Sequence, residues 1–215
     1  MLIAPGASMS QSRARELTTV SAVAAATFAG VTIASATRAS AHVDRTLSPR
    51  LAFRPKSRRR RVAGSLSPVG KWYTILSAAT VGGALVARDP QHRLAGGTIA
   101  ASSIIATLLS LSLDHVLPQP PVPANHRHDP RKPVFPSGHG LVSTAVASTA
   151  AYVLSRETMV DARTATIAAA TFSLANPALK LAVRKHWLSD AVGGVAAGVA
   201  VAAACCAAYE QLRNA

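Results

Sequence analysis

Apolar residues fall into six long runs, each rich in alanine, valine, glycine, serine and leucine and each closed by polar or proline-containing stretches. The runs are Thr18–Thr37, Trp72–Ala87, Leu94–Leu113, Gly140–Ser155, Ala162–Val183 and Ala191–Tyr209. A helix needs about 20 apolar residues to cross the hydrocarbon core of a bilayer. The second and fourth runs reach that length only with flanking residues. The fifth carries Pro177 and Lys180, which a lipid-facing helix does not tolerate without cost. The pattern predicts an all-α integral membrane protein, a six-helix bundle over residues 17–210, with tails at 1–16 and 211–215. The first run has a second reading. Arg13 and Arg15 precede it, and Ala39–Ala41 resembles a signal-peptidase site. The run is long for a signal peptide, which favours a retained helix.

The polar connections are unequal. Between the third and fourth runs lies "DHVLPQPPVPANHRHDPRKPVFPSGH", too rich in proline to be helical throughout. Such backbone lies outside the hydrocarbon or over a cavity, and long loops of this kind are often functional. In a six-helix bundle, the loops after runs one, three and five share a face. That face collects a basic loop (38–71), the motif loop (114–139) and "RKHWLSD", Arg184–Asp190.

Composition supports the membrane reading. Hydrophobic residues make up 49% of the chain but aromatics only 4%, and mean hydropathy is +0.26. Small residues suit helices that pack closely in lipid. Gly194 and Gly198 form a G-x-x-x-G pair, which fits close packing within the monomer or between subunits of a homo-oligomer. Cys205 and Cys206 are adjacent and point about 100° apart on a helix, which suits neither a disulfide nor a shared metal site.

Net charge is +14, from 23 Lys and Arg against 9 Asp and Glu. Much of the excess sits in "RPKSRRRRVAG", the Arg54–Arg61 run. This reads as a juxtamembrane loop that holds topology and touches anionic headgroups. It lacks the interleaved aromatics or recognition helix of a nucleic-acid binder, so nucleic acid is not an expected partner. Arg13, Arg15, Arg88, Arg93, Arg156, Arg163 and Arg213 fall on the other face. The remaining basic residues are the majority, and the positive-inside rule places the motif face in the cytoplasm.

Two motifs on that face carry chemistry. In "KHWLSDAVGG", His186 and Asp190 are spaced i, i+4, which on a helix puts them on one face. The aspartate can fix one imidazole nitrogen and leave the other as nucleophile or base; a purely structural hydrogen bond is the plainer alternative. In "PSGHG", Pro136 and Gly138 shape a turn and Ser137 is a good N-cap. The helix mouth then offers amides and a positive dipole end to an anion, and His139 could protonate a leaving oxygen. The plainer alternative is an N-cap beside a solvated histidine. Together the motifs point to phosphate: one histidine attacks phosphorus, the other donates a proton, and amides and cations hold the oxygens. No metal or cofactor is required.

"PSGH" followed by "HWLSD" and a Gly-rich apolar helix resembles the PAP2 phosphatases, the phosphatidic acid phosphatase type 2 / vanadium haloperoxidase superfamily. The family's P-S-G-H motif is matched by Pro136, Ser137, Gly138 and His139. Its S-R-x5-H-x3-D motif is matched at His186 and Asp190, while Leu179 and Lys180 stand where Ser and Arg would be. Lysine keeps the charge but loses the planar fork; Arg184 or Lys185 could compensate. The K-x6-R-P motif is missing, with Ser112 and Gln119 at its charged positions. Arg127, Arg131 and Lys132 lie nearby in the same loop. The resemblance implies a PAP2-like membrane phosphatase of the cell membrane acting on a lipid phosphomonoester or diphosphate through a phosphohistidine. Candidate lipids are phosphatidate, phosphatidylglycerol phosphate and polyprenyl phosphates. His186 would be nucleophile, Asp190 its orienter and His139 the acid. Ser137, Gly138, Lys180, Arg184, Arg127, Arg131 and Lys132 would bind phosphate. Two alternatives stand beside it: a catalytically degenerate relative that binds phospholipid or a membrane partner, which the missing motif supports, and a small transporter or assembly factor that uses the His–Asp pair as a proton site.

Overall fold

The computed structural model describes residues 5–117 and 135–213. Six long helices coincide with the apolar runs: α1 (Pro5–Ala36), α4 (Trp72–Val86), α5 (Arg93–Val116), α6 (Gly138–Arg156), α7 (Ala162–Ala182) and α8 (Leu188–Leu212). Two shorter ones, α2 (Ala41–Leu51) and α3 (Arg58–Leu66), lie within the basic loop. α1 starts well ahead of its apolar run.

Among the described residues, three helical stretches are long and apolar enough to cross a membrane: Ser10–Ala36, Pro90–Val116 and Leu188–Leu212. Trp72–Val86 is apolar but shorter. The radial distribution of side chains is that of a protein in lipid. Ser102, Ser103, Thr107, Ser110, Ser143 and Thr149 are buried, while Ile104, Ile105, Leu108, Ile167 and Leu174 face outward. Several of these hydroxyls bond one another or backbone carbonyls. Ser102 Oγ lies 3.0 Å from Thr149 Oγ1 and 3.3 Å from the Ala145 carbonyl.

α8 is the axis of the bundle, with α1 along one side and α6 along another. Ser21 Oγ of α1 donates to the Ala200 carbonyl at 2.9 Å. Glycines bring α6 against α8. A Cβ on Gly198 would sit 2.6 Å from the Leu141 carbonyl oxygen, and one on Gly194 would strike the Ser137 carbonyl. The G-x-x-x-G face is therefore used inside the monomer. Gly83 and Gly96 make a similar contact between α4 and α5. Pro177 and Lys180 are both buried on α7, so neither meets lipid.

The two ends of the bundle differ. At one end, the buried Glu210 carboxylate accepts hydrogen bonds from Ser10 Oγ (2.9 Å), Tyr152 OH (2.8 Å) and Arg156 Nε (2.7 Å). Beside it Glu157 accepts from Tyr209 OH and lies 3.2 Å from His92 Nδ1. The other end gathers the α5 C-terminus, the starts of α4, α6 and α8, and the close of α7. Both histidine motifs lie there.

Candidate active site

α6 begins where the P-S-G-H turn ends. Ser137 caps it, with its Oγ accepting from the Gly140 amide at 3.4 Å. The Ser137 amide donates to the Asp190 carbonyl at 2.9 Å, which fixes the turn to α8. Gly194 is required at this crossing because any side chain would displace Ser137. His139, the second residue of α6, is thereby held over the helix mouth.

His186 arrives from the loop between α7 and α8. The sequence spacing suggested a pair one turn apart on a single helix; instead, α8 begins at Leu188 and His186 precedes it. Trp187 is the N-cap, and Arg184 adopts a left-handed backbone conformation, φ 60°, that ends α7 and turns the chain back. Asp190 is fully buried in the first turn of α8, and its Oδ2 accepts from the Trp187 amide at 2.7 Å. His186 Nδ1 stands 3.5 Å from that same oxygen, beyond the usual range of about 2.7–3.2 Å for an N–H···O bond. Among the described residues, His186 Nδ1, Asp190 Oδ1 and His139 Nε2 are buried without a hydrogen-bond partner. The histidine rings lie 6.4 Å apart, centroid to centroid, and are tilted by 60°. Both can touch one tetrahedral phosphate.

Two helix N-termini point toward this region, and their amides are differently employed. At α8 the Leu188 amide donates to Ser48 Oγ (3.0 Å) and the Ser189 amide to Asp44 Oδ1 (2.9 Å). That terminus is already satisfied by α2. The mouth of α6, with His139 on it, is the one suited to an incoming anion.

Of the cations expected from the sequence, Lys180 and Arg184 lie within the described residues. Lys180 is buried in the last turn of α7 and lies within electrostatic reach of His139. Lys185 and Lys71 are also within reach of both His139 and Lys180. Arg184 is half-buried, and its Nε has no hydrogen-bond partner among the described residues. Arg127, Arg131 and Lys132, with Gln119, lie outside the described residues. Ser112 is exposed on α5.

Lys71 was not expected from the sequence. It follows the 3₁₀ turn Ser67–Gly70, whose last residue packs directly on the site. A Cβ on Gly70 would come 3.2 Å from His139 Cδ2 and strike Asn176 Oδ1. The available signal was positional: Lys71 opens the second apolar run on the motif face. Asp44 and Asn176 were likewise missed. Asp114, near the end of α5, also lies within electrostatic reach of His186.

An apolar groove of about 420 Å³ opens between α6, α7 and α8 in the middle of the bundle and reaches Tyr152 and Ser155 toward the end opposite the histidines. Thr144 and Ser173 line it, with Leu174, Val195 and Val199. Thr144 is five residues beyond His139 on α6, about 7.5 Å at 1.5 Å per residue.

A family profile described as the PAP2 superfamily matches residues 91–214, more than half of the chain. The chain belongs to the PAP2 superfamily. Its matched region contains both histidine motifs and excludes Lys71, Asp44 and the α2–α3 segment. No curated protein matches the chain. A solved structure, the transmembrane PAP2 type phosphatidylglycerolphosphate phosphatase from Bacillus subtilis, shares the fold with a TM-score of 0.65. The match is 14% identical and covers 85% of this chain and 92% of that one. The PAP2 fold thus extends over most of the bundle.

Proposed function

We propose that the protein is a PAP2-type membrane phosphatase that hydrolyses a lipid phosphomonoester or diphosphate through a phosphohistidine. The observation that carries this reading is the meeting of His139 and His186 over the capped mouth of α6, their rings 6.4 Å apart. The substrate phosphate sits at that mouth, with Ser137 and Gly138 shaping it and Lys180, Arg184 and Lys71 facing its charge. His186 Nε2 attacks phosphorus, and the bond to the lipid oxygen breaks. His139 donates the proton that the departing alkoxide takes up. Water then attacks the phosphohistidine, His139 accepts its proton, and inorganic phosphate leaves. Asp190 stabilises the imidazolium through Nδ1 once the 3.5 Å gap closes to a hydrogen bond. Catalytic contacts of this kind commonly tighten only when substrate is bound.

A lipid is the favoured substrate because an apolar groove between α6, α7 and α8 begins at Thr144, about 7.5 Å along α6 from His139, and runs on through the apolar middle of the bundle. The phosphatidylglycerolphosphate phosphatase with the same fold makes that phospholipid one candidate. The excess of basic residues on the site face favours a cytoplasmic orientation.

Inorganic phosphate release by purified wild type, His186→Ala and His139→Ala, against a panel of lipid phosphates, tests the reading. Wild type should release phosphate and His186→Ala none. His139→Ala should be slower by about 10²–10⁴-fold, the usual contribution of a positioned acid or base. Absence of release by folded wild type would favour a binding protein instead. That second reading draws on Asp114, a carboxylate near His186 at the end of the helix that lacks the K-x6-R-P cations.

A further inference from the structure

The α2–α3 segment has an inverted pattern. Asp44 and Ser48, one turn apart on α2, are its buried residues. Val43, Leu47 and Leu51 form a neighbouring stripe at the same spacing, and all three are exposed. α3 shares the outward half of this pattern: its one buried residue is the small, apolar Ala63, while Val62 and Leu66 are exposed. Arg58, Arg59 and Arg61 are exposed beside them. Helices that display leucine, valine and arginine outward, as both do, while α2 turns its polar side chains to the protein, are matched to a bilayer interface, not to water.

The inward-facing polar groups all grip the segment that carries His186. Asp44 takes the Ser189 amide at 2.9 Å and the Ser189 hydroxyl at 2.7 Å. Ser48 takes the Leu188 amide at 3.0 Å. The Phe53 amide donates to the Ala182 carbonyl at 2.9 Å, and the Arg60 guanidinium to the Val183 carbonyl at 3.3 Å. These bonds lie on both sides of His186, at the end of α7 and the start of α8.

We propose that α2 and α3 form a docking surface for an anionic bilayer, and that docking there clamps the loop that positions His186. Charge complementarity selects this partner. A basic side chain near an anionic leaflet gains about 1 kcal/mol, roughly fivefold in occupancy by RT ln K. A lipid surface that binds the clamped arrangement more tightly shifts the population toward it. The effect on turnover rests on the phosphatase reading; the docking and the clamp do not.

The test uses the full-length protein in nanodiscs of phosphatidylcholine alone and of phosphatidylcholine with phosphatidylglycerol. Hydrogen exchange is followed at the Trp187, Leu188 and Ser189 amides, with turnover of saturating p-nitrophenyl phosphate, a soluble substrate, measured in parallel. Anionic nanodiscs should slow exchange at those amides and raise turnover severalfold. The triple variant Arg58→Gln, Arg59→Gln, Arg61→Gln should keep the basal rate and lose both responses. Equal exchange in the two bilayers, or a triple variant that responds like wild type, overturns the proposal. A slowed exchange with no hydrolysis in either bilayer would uphold the clamp and overturn the phosphatase reading alone.

Discussion

Lys71 comes within electrostatic reach of His139 and Lys180 from a segment far upstream of either motif. On the proposed reading it supplies positive charge at a phosphate site whose expected first-motif cations are replaced by Ser112 and Gln119. Lys71→Ala should lower kcat/KM by about 10- to 100-fold, since a hydrogen bond to a charged group contributes about 1.5–3 kcal/mol and each 1.4 kcal/mol is tenfold. Lys71→Arg should restore part of it. Steady-state kinetics with a soluble and a lipid phosphate would decide, and an unchanged Lys71→Ala enzyme would remove the residue from the site. His139, His186 and Asp190 were legible because motif residues carry their chemistry on their faces. Lys71 and Asp44 were not, because each owes its place to a turn or helix that only packing creates. The His186–Asp190 pair was read correctly as neighbours but wrongly as two residues on one helix. The i, i+4 spacing cannot reveal that Arg184 ends α7 in a left-handed conformation and that Trp187 caps α8 after His186.

Among the elements, the long helices follow from the apolar runs directly, and helix α7 shows why Pro177 and Lys180 did not forbid one: both are buried against protein. α2 and α3 escaped notice for a physical reason. α2 buries the polar Asp44 and Ser48, α3 buries only the small Ala63, and both leave valine and leucine outside, so the usual rule for choosing a buried face gives no signal. The α6–α8 crossing is the element contact on which the site depends most. Gly194 lies against the Ser137 carbonyl, so Gly194→Ala must push the P-S-G-H turn off α8. Overpacking of this sort costs about 1–3 kcal/mol. The variant should melt earlier in detergent and lose more activity than stability alone explains, because His139 moves with the turn. Gly30→Ala, on an α1 position where a Cβ meets nothing within 4 Å, is the control and should behave as wild type.

At the scale of the whole molecule, the bundle has a chemical end and a fastening end. At the fastening end, burial opposes ionisation of Glu157, but the Tyr209 hydroxyl and the Arg213 and His92 side chains outweigh it and hold its carboxyl below the ordinary glutamate range. The folded state therefore binds this proton less readily than the unfolded chain. Glu157 adds stability above the unfolded value of about 4.3, and that stability disappears as pH falls through its lower folded value. In detergent, wild type should melt above Glu157→Gln near neutral pH, and the gap should close in acid; a gap independent of pH would contradict this account. The groove between α6, α7 and α8 has a further consequence. A lipid that enters sideways arrives by two-dimensional diffusion, so the concentration the enzyme senses is a mole fraction in its own leaflet. Adding inert detergent at constant total substrate should slow hydrolysis in proportion to dilution of the surface, while hydrolysis of a soluble phosphate ester stays constant. Product released the same way remains in that leaflet, so the dephosphorylated lipid should compete at the groove long before it would accumulate in bulk water.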